Sequence, residues 1–253
     1  MSPAFALCVS LSFSQTSLDS ELMLLMQQHG LQRAHVGVLF KKNNGEVILD
    51  YQSEKRFIPA SVMKVFTCAL VLEYLGKDYK PQTKIWRDTK GVYIKGGGDP
   101  GLTITELQNA AKSLKVSASD TVFYDDSLFG DERFASGWTI GDLPQGYCPS
   151  VSALTVNDAK LQLWSGGGRA WLMPRNFGIK VNAVPQEESG DTEITILNGG
   201  WTVNVSGLSL NPQEILIGEV NIPDPARASA MVLGSKVQRK TNLTPPSNSY
   251  TIQ

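Results

Sequence analysis

The segment that most constrains the fold is a nearly continuous apolar run, Val65 to Leu72, which directly follows a serine and a lysine. Its composition favours a helix over 61–75, and Gly76 is a natural end for that helix. Apolar residues lie on almost every side of such a helix, so the sequence predicts that it is buried. Ser61 and Lys64 are three residues apart and would share one face of its first turn.

A hydroxyl and an amine on one helix face are what a serine acyl-transfer enzyme requires. The hydroxyl of Ser61 would attack a carbonyl, and Lys64, if its surroundings keep it neutral, would take the proton. The positive end of the helix dipole would lie at this serine. The structural alternative is a serine N-cap followed by a solvated lysine, so the pattern S-x-x-K by itself identifies no enzyme.

Composition excludes several classes of function. The 42% hydrophobic and 19% charged content is typical of a globular protein. A net charge of −1, with lysine and arginine scattered along the chain, gives no basis for nucleic-acid binding. No apolar run approaches the roughly 20 residues that span a bilayer, so no transmembrane segment is expected.

The three cysteines, Cys8, Cys68 and Cys148, lack the spacing of a metal site, and we expect neither a metal nor a cofactor. Buried free thiols are the expected state, with a disulfide between the last two as the open alternative. Residues 4–15 are apolar and end in small residues, like the core and cleavage region of a secretory signal. The positive leading segment is missing, so 1–17 is either a signal remnant or a hydrophobic tail.

The order of predicted elements suggests a mixed α and β chain. A helix over 18–29 precedes a hairpin whose strands, 35–39 and 46–51, are joined by an Asn-Gly turn. Further strands are expected at 84–87, 92–95, 121–124, 160–164, 178–184, 192–197, 202–205 and 214–220, and further helices at 103–114 and 226–236.

Three other features invite a functional interpretation. Glycines 96–98 could cradle an anion, but their spacing matches no phosphate-binding motif and favours a tight turn. Asp125 and Asp126 could bind a metal, but no histidine or third acid is spaced as a partner, which favours a capped turn. His29 and His35 are the only histidines, and neither is beside a candidate nucleophile.

Several segments together resemble one family. The stretch Pro59 to Thr67 is similar to the active-site segment of the D-alanyl-D-alanine carboxypeptidase/endopeptidase family, the low-molecular-mass class C penicillin-binding proteins. Further similar segments occur in the family's order: Tyr93–Thr103, Asp125–Phe129, Gly137–Trp138, and Tyr147–Leu154 with Asn157.

The resemblance implies a multidomain α+β and α/β fold, with part of a β-lactamase-like transpeptidase domain interrupted by a strand-rich inserted domain. The expected division is a tail at 1–17, the start of the peptidase domain at 18–83, the insert at 84–222 and a return into the peptidase domain at 223–253. The implied function is a periplasmic serine-type carboxypeptidase or endopeptidase. It would act on peptidoglycan peptides ending in D-Ala-D-Ala, through an acyl-enzyme at Ser61, and β-lactams would acylate it. Homo-oligomerisation stays open.

The sequence also departs from the family pattern, which continues with S-x-N and then K-T-G. Three short stretches resemble these motifs only formally: Ser209-Leu210-Asn211, Lys95-Gly96-Gly97 and Lys240-Thr241-Asn242. The resemblance therefore assigns roles to two residues, Ser61 as nucleophile and Lys64 as proton acceptor. We expect turnover by these 253 residues to be near background, 84–222 to be compact and the flanking catalytic part to be loose.

Two alternatives to this function follow from the same sequence. One is a noncatalytic wall-binding or scaffold protein that retains the insert without a working active site. The other is an unrelated serine hydrolase, which the order of the matching segments disfavours.

Overall fold

A computed structural model of the chain describes residues 15–139, 141, 146–174, 177–185 and 191–253. It contains two compact units, residues 1–77 and 78–253. The tail expected at 1–17 lies outside the described residues up to position 14, and residues 15–17 begin the first helix. The four-part division expected from the sequence stays a prediction.

The described part of the first unit contains two helices and one hairpin. Its elements are α1 (Gln15–Gln28), β1 (Val38–Lys41), β2 (Val47–Tyr51) and α2 (Met63–Leu75), with a 3₁₀ turn (Ala60–Val62) directly before α2.

The hairpin forms where the sequence predicts it. β1 and β2 pair antiparallel, and Gly45 takes a φ of +88° in the turn, a conformation that glycine adopts without strain. The amide of Gly45 donates to the carbonyl of Lys42 at 2.9 Å, which closes the turn. The first strand begins at Val38 rather than at His35, whose ring stacks on Phe57 with centroids 4.3 Å apart.

The second unit contains eleven strands and two helices among its described residues. In chain order they are β3 (Thr83–Arg87), β4 (Val92–Lys95), α3 (Ile104–Ser113), β5 (Thr121–Asp125), β6 (Lys160–Gly166), β7 (Arg169–Met173), β8 (Lys180–Pro185), β9 (Glu193–Leu197), β10 (Thr202–Leu208), β11 (Ile215–Asn221), α4 (Pro225–Leu233), β12 (Lys236–Arg239) and β13 (Tyr250–Ile252).

These strands form three sheets. The largest has five strands in the order β12-β5-β4-β3-β13, parallel from β12 to β4 and antiparallel from β4 to β13. The second sheet, β11-β6-β7, is antiparallel. In the third, β10 lies between β8, to which it is parallel, and β9, to which it is antiparallel. The expectation of a strand-rich region after 84 is confirmed.

The core of the second unit lies under α3 and α4, and α3 shows why. Ile104, Leu107 and Ala110 are buried at the three-residue spacing that gives a helix one apolar face. Its start is fixed by a capping box, in which Glu106 N donates to Thr103 Oγ1 and Thr103 N donates to the Glu106 carboxylate. The helix lies where the sequence predicts it.

The C-terminal residues supply elements to the second unit. The sequence predicts that 223–253 begin a return into the peptidase domain, and in the structure they form α4, β12 and β13. β12 pairs with β5 and β13 pairs with β3, so both strands belong to the same sheet as 83–95. Together with β7, these two strands are absent from the sequence prediction. β12 has no apolar alternation, and its extended conformation depends on its neighbour.

The prediction that α2 is buried is wrong. None of its side chains is buried, and Val65 keeps 67% of its surface exposed. Phe66, Leu70 and Val71 are also exposed. Among the described residues, no helix has both the length and the apolar character needed to cross a membrane.

Candidate functional site

The two residues that the sequence singles out lie together at the start of α2. Lys64 Nζ donates to Ser61 Oγ at 3.0 Å. Ser61 belongs to the 3₁₀ turn rather than to the helix itself, and Lys64 is the second residue of α2. The turn is closed by the amide of Val62, which donates to the carbonyl of Pro59 at 2.9 Å. The three-residue spacing therefore brings the hydroxyl and the amine together as predicted.

This geometry provides two of the parts that acyl transfer needs. A hydroxyl within hydrogen-bonding reach of an amine can pass its proton to that amine as it attacks a carbonyl. Ser61 and Lys64 are both exposed, however, and so is the helix that carries them. The two side chains are therefore as close as a nucleophile and its base, but they are exposed to water and not enclosed in a pocket.

The stretches that formally resemble the later motifs have local structural roles. The hydroxyl of Ser209 accepts a hydrogen bond from the amide of Asn211 at 3.1 Å, within a turn. Lys240 Nζ lies 5.6 Å from the ring centroids of both Tyr93 and Phe123, a cation–π arrangement. These contacts support the interpretation that the matches arose by chance.

The glycines at 96–98 serve close packing and not anion binding. A Cβ on Gly96 would overlap the carbonyl of Ala153, and one on Gly97 would overlap the carbonyl of Gln82. The amides of Gly96 and Gly98 donate to backbone carbonyls, at 2.9 and 2.8 Å, so they are already engaged within the fold. The tight turn predicted from the sequence is wrong, because residues 96–98 are not a hydrogen-bonded turn: Gly96 bonds to Asp125 and Gly98 to Ala153, both in distant segments.

Asp125 confirms the capped turn predicted for the acidic pair. Its Oδ1 accepts from the hydroxyl and amide of Ser127, at 2.6 and 2.9 Å, and its Oδ2 accepts from the amide of Leu243 at 2.7 Å. Burial raises the pKa of this carboxyl, but these hydrogen bonds and the charge of Lys95 outweigh burial and hold it below the usual value. The carboxylate therefore stabilises the fold above its ordinary pKa, and that contribution is lost as the pH falls through the lowered value.

Asp126 has a role that sequence reasoning missed. It is fully buried, and its carboxylate contacts Arg133 at 2.6 Å and Arg239 at 2.8 Å. Arg239 also reaches Asp131 at 2.6 Å. Hydrogen bonds with Asp131 and then Asp126 raise the pKa of this guanidinium, which stays charged. The partner Arg239 is 113 positions away, so no local pattern could have revealed the pair.

Metal and disulfide chemistry find no support within the described part of the chain. No group of three or more metal-ligating side chains occurs there. Cys68 and Cys148 are both free thiols, the first exposed and the second buried, so the open alternative of a disulfide between them is not realised. The expectation of a buried thiol is wrong for Cys68 because α2 itself is exposed.

The chain has a mixed α/β fold and a hydroxyl–amine pair at the start of a helix. These are features of the serine acyl-transfer class, and comparison with known families identifies the family. Residues 18–170, more than half of the chain, match the model of the D-Ala-D-Ala carboxypeptidase 3 (S13) family. The chain belongs to this family, as the sequence resemblance implied.

Two curated relatives agree with this membership. A D-alanyl-D-alanine carboxypeptidase of Actinomadura sp. (strain R39) is 30% identical over 154 residues, which are 56% of this chain and 29% of the relative. Penicillin-sensitive carboxypeptidase A of Dictyostelium discoideum is 26% identical over 160 residues, 53% of this chain and 31% of the relative. The matched region thus spans about a third of each relative.

Two solved structures share the fold. Penicillin-binding protein 4 (dacB) from Haemophilus influenzae superposes with a TM-score of 0.59 at 18% identity, covering 83% of this chain and 54% of that one. The same protein in complex with a novel β-lactam gives a TM-score of 0.52 at 17% identity, over 85% of this chain and 53% of that one. At this identity the likeness concerns the fold alone, a mixed α/β architecture with several sheets.

Proposed function

We propose that this chain carries the nucleophile of a serine-type D-Ala-D-Ala carboxypeptidase or endopeptidase that acts on peptidoglycan peptides. Ser61 is the nucleophile and Lys64 its proton acceptor. The single observation that carries the proposal is the 3.0 Å hydrogen bond between Lys64 Nζ and Ser61 Oγ, in a chain that belongs to a D-Ala-D-Ala carboxypeptidase family.

The proposed reaction has two steps. The hydroxyl of Ser61 attacks the carbonyl of the penultimate D-alanine, and its proton passes to the amine of Lys64. That proton then goes to the departing amino group, so that D-alanine leaves and an ester to Ser61 remains. Water hydrolyses the ester and restores the hydroxyl. A β-lactam would form the same ester by opening of its ring, and would remain attached for longer.

The exposure of the site sets the expected rate for these 253 residues. Oxyanion donors and exclusion of water each contribute strongly to acyl transfer, and loss of one oxyanion donor typically costs about 100- to 1,000-fold. Ser61 lies in an exposed turn before an exposed helix. We therefore propose that hydrolysis of a D-Ala-D-Ala peptide by this chain alone is slow.

Adduct formation with a labelled penicillin tests the nucleophile. After incubation of the 253-residue chain, mass spectrometry should find the label on the peptide that contains Ser61, and Ser61→Ala should carry none. Ser53→Ala is the matched control, because this serine lies in the same unit and has no lysine three residues further on. A label on another residue, or a label that persists in Ser61→Ala, would refute the assignment.

Substitution of the lysine tests its role separately. Lys64→Arg keeps most of the reach of the side chain, but a guanidinium does not act as a base. Acylation should therefore slow by about 100- to 10,000-fold, the usual contribution of a general base. Acylation of Lys64→Arg at the rate of the unmodified chain would exclude Lys64 as the proton acceptor.

The cellular setting belongs to the same proposal. A protein that acts on peptidoglycan peptides works outside the inner membrane, so we propose a periplasmic location, which fractionation of cells that produce the chain would check. The alternative function is noncatalytic binding to the cell wall. The exposure of Ser61 favours it, and a chain that takes up no labelled penicillin while retaining affinity for peptidoglycan would establish it.

A further inference from the structure

The second unit contains a groove that the proposed catalytic residues do not use. It has a volume of about 480 Å³, and we refer to it as the aromatic groove. Its walls include Asp99, Phe129, Trp138, Asp158 and Lys160. Its floor includes Gly98, the last of the three glycines that the sequence analysis singled out.

The ring of Phe129 is held against the backbone with one side open. A Cβ on Gly98 would lie 2.6 Å from this ring, so the ring rests where only a glycine leaves room. Even so, 51% of Phe129 remains exposed. An aromatic ring that packs against the backbone and stays half exposed offers a flat apolar surface to a ligand. An exposed apolar surface that lines a cavity often marks a binding site.

Charged side chains accompany the aromatic ones. Asp99 and Asp158 bring two carboxylates to the groove, and Lys160 brings one ammonium. The Oδ1 atom of Asp99 is fixed by the amide of Gly101 at 2.9 Å. The groove thus combines apolar platforms with hydrogen-bond acceptors, as ligand sites do.

A buried ion pair supports the segment that carries Phe129 and Trp138. Arg133 lies between these two residues, and it contacts the fully buried Asp126 at 2.6 Å. The guanidinium of Arg133 also donates to the carbonyl of Val151 at 3.2 Å, and the amide of Val151 donates to the carbonyl of Arg133 at 2.8 Å. Val151 itself lines the groove. The wall of the groove is therefore fixed by the core and is formed before any ligand binds.

We propose that the aromatic groove binds a glycan strand built of N-acetylated amino sugars. The C–H faces of a pyranose ring would stack on Phe129 and Trp138, the hydroxyls would donate to Asp99 and Asp158, and Lys160 would donate to an acetamido carbonyl. The choice of glycan rests on the proposed function, because a peptidase of the cell wall meets a polymer that carries both sugars and peptides.

A stem peptide fits the same groove less well. Extended peptides gain affinity by pairing with an exposed strand edge, whereas these residues come from loops and turns, with Lys160 alone at a strand start. A peptide that ends in D-Ala-D-Ala also carries a carboxylate, which two acidic side chains would repel. A neutral sugar chain needs no strand edge and carries no carboxylate that the acidic side chains would repel.

The test uses the 253-residue chain and a soluble tetramer of β-1,4-linked N-acetylglucosamine, titrated by calorimetry. The tetramer should bind, and Phe129→Ala and Trp138→Ala should each lower its affinity by about tenfold, the effect of losing one aromatic contact. Phe40→Ala is the matched control, since this residue lies in the first unit with 57% of its surface exposed and should leave binding unchanged. Thermal unfolding of each variant confirms that it is folded.

Two further arms separate this site from the catalytic pair. Ser61→Ala should keep the affinity for the tetramer and lose the penicillin label, whereas Phe129→Ala should do the reverse. Absence of tetramer binding, or equal binding by Phe129→Ala and Phe40→Ala, would overturn the proposal even if Ser61 is acylated. A stem pentapeptide that displaces the tetramer would show that the groove recognises peptide instead.

Discussion

The helices α2 and α3 are of similar length, and they differ in every feature that stabilises a helix. α3 buries Ile104, Leu107 and Ala110 along one face and begins with the capping box of Thr103. α2 is far more apolar, yet it buries none of its side chains and has no side-chain cap. Apolar composition therefore does not determine burial. A one-sided helix can be covered by a single sheet, whereas a helix that is apolar all round needs cover on all sides.

The two compact units differ in the same way. The second unit contains three sheets and packs α4 against α3 and against β5 and β12, while the described part of the first unit contains one hairpin and two helices. An isolated two-stranded hairpin is marginal in water, so the first unit has little with which to cover α2. We therefore expect the first unit, which carries the proposed catalytic residues, to be less stable than the second, which carries the proposed glycan site.

Hydrogen exchange should show the largest contrast between the units. We expect the amides of α2 to exchange about 1,000-fold faster than those of β4, which corresponds to a difference of about 4 kcal/mol in opening free energy. The measurement is exchange of the 253-residue chain followed by mass spectrometry of its peptides. Equal protection of 63–75 and 92–95 in a monomer would show that the two units are equally stable.

Matched leucine substitutions sharpen the same comparison at single residues. Leu107→Ala removes a fully buried side chain of α3 and should lower the free energy of unfolding by about 2–5 kcal/mol. Leu70→Ala removes a side chain of α2 that is 56% exposed, and its effect should stay within about 0.5 kcal/mol. Urea unfolding of both variants provides the values. A large loss in Leu70→Ala would mean that α2 is covered in solution, for example by a second copy.

Features set by neighbouring residues could be predicted from the sequence. The capping box of α3 and the hairpin turn at Gly45 each depend on a few adjacent positions. The approach of Lys64 to Ser61 is of the same kind, because helical spacing alone brings them together. Their role in catalysis stays a prediction.

Features set by distant residues could not be predicted. The sequence around Asp126 predicts only an acidic turn. Its ion pair is with Arg239 of β12, which is more than a hundred positions away in the chain. β12 itself, Lys-Val-Gln-Arg, has no apolar alternation, and its pairing with β5 makes it a strand. The prediction that α2 is buried was wrong for the same reason. The apolar character of a helix can be read from its own residues, but the surface that would cover it comes from residues elsewhere in the chain.

Two ion pairs with similar distances, one buried in the second unit and one exposed in the first, allow the two units to be compared in their electrostatics. Asp126 is fully buried and lies 2.6 Å from Arg133, whereas Glu46 and Lys42 are exposed in the hairpin at 2.7 Å. Asp126→Ala removes the carboxylate that pairs with Arg133 and one of the two that pair with Arg239, and it should lower the free energy of unfolding by about 3 kcal/mol. Glu46→Ala should have little effect, because water screens an exposed pair. Urea unfolding in low and high salt would measure both.

The Asp126 variant has a second readout that a purely structural role would not predict. Because Arg133 supports the wall of the aromatic groove, Asp126→Ala should also weaken binding of the N-acetylglucosamine tetramer while the protein is still folded. Unchanged affinity in the folded variant would show that the wall is held by other contacts.

The capping box provides the smallest expected effect. Thr103→Ala removes the hydroxyl that accepts from the amide of Glu106, and it should lower the free energy of unfolding by about 1 kcal/mol, the usual value of an N-cap. Thr103→Ser keeps the hydroxyl and is the matched control, for which we expect a change of less than about 0.5 kcal/mol. Urea unfolding of both variants, with exchange of the amides at 104–107, would localise the loss to the first turn of α3. If the two variants are equally stable, the stability of α3 comes from its buried face alone, and the cap does not contribute to the difference between α3 and α2.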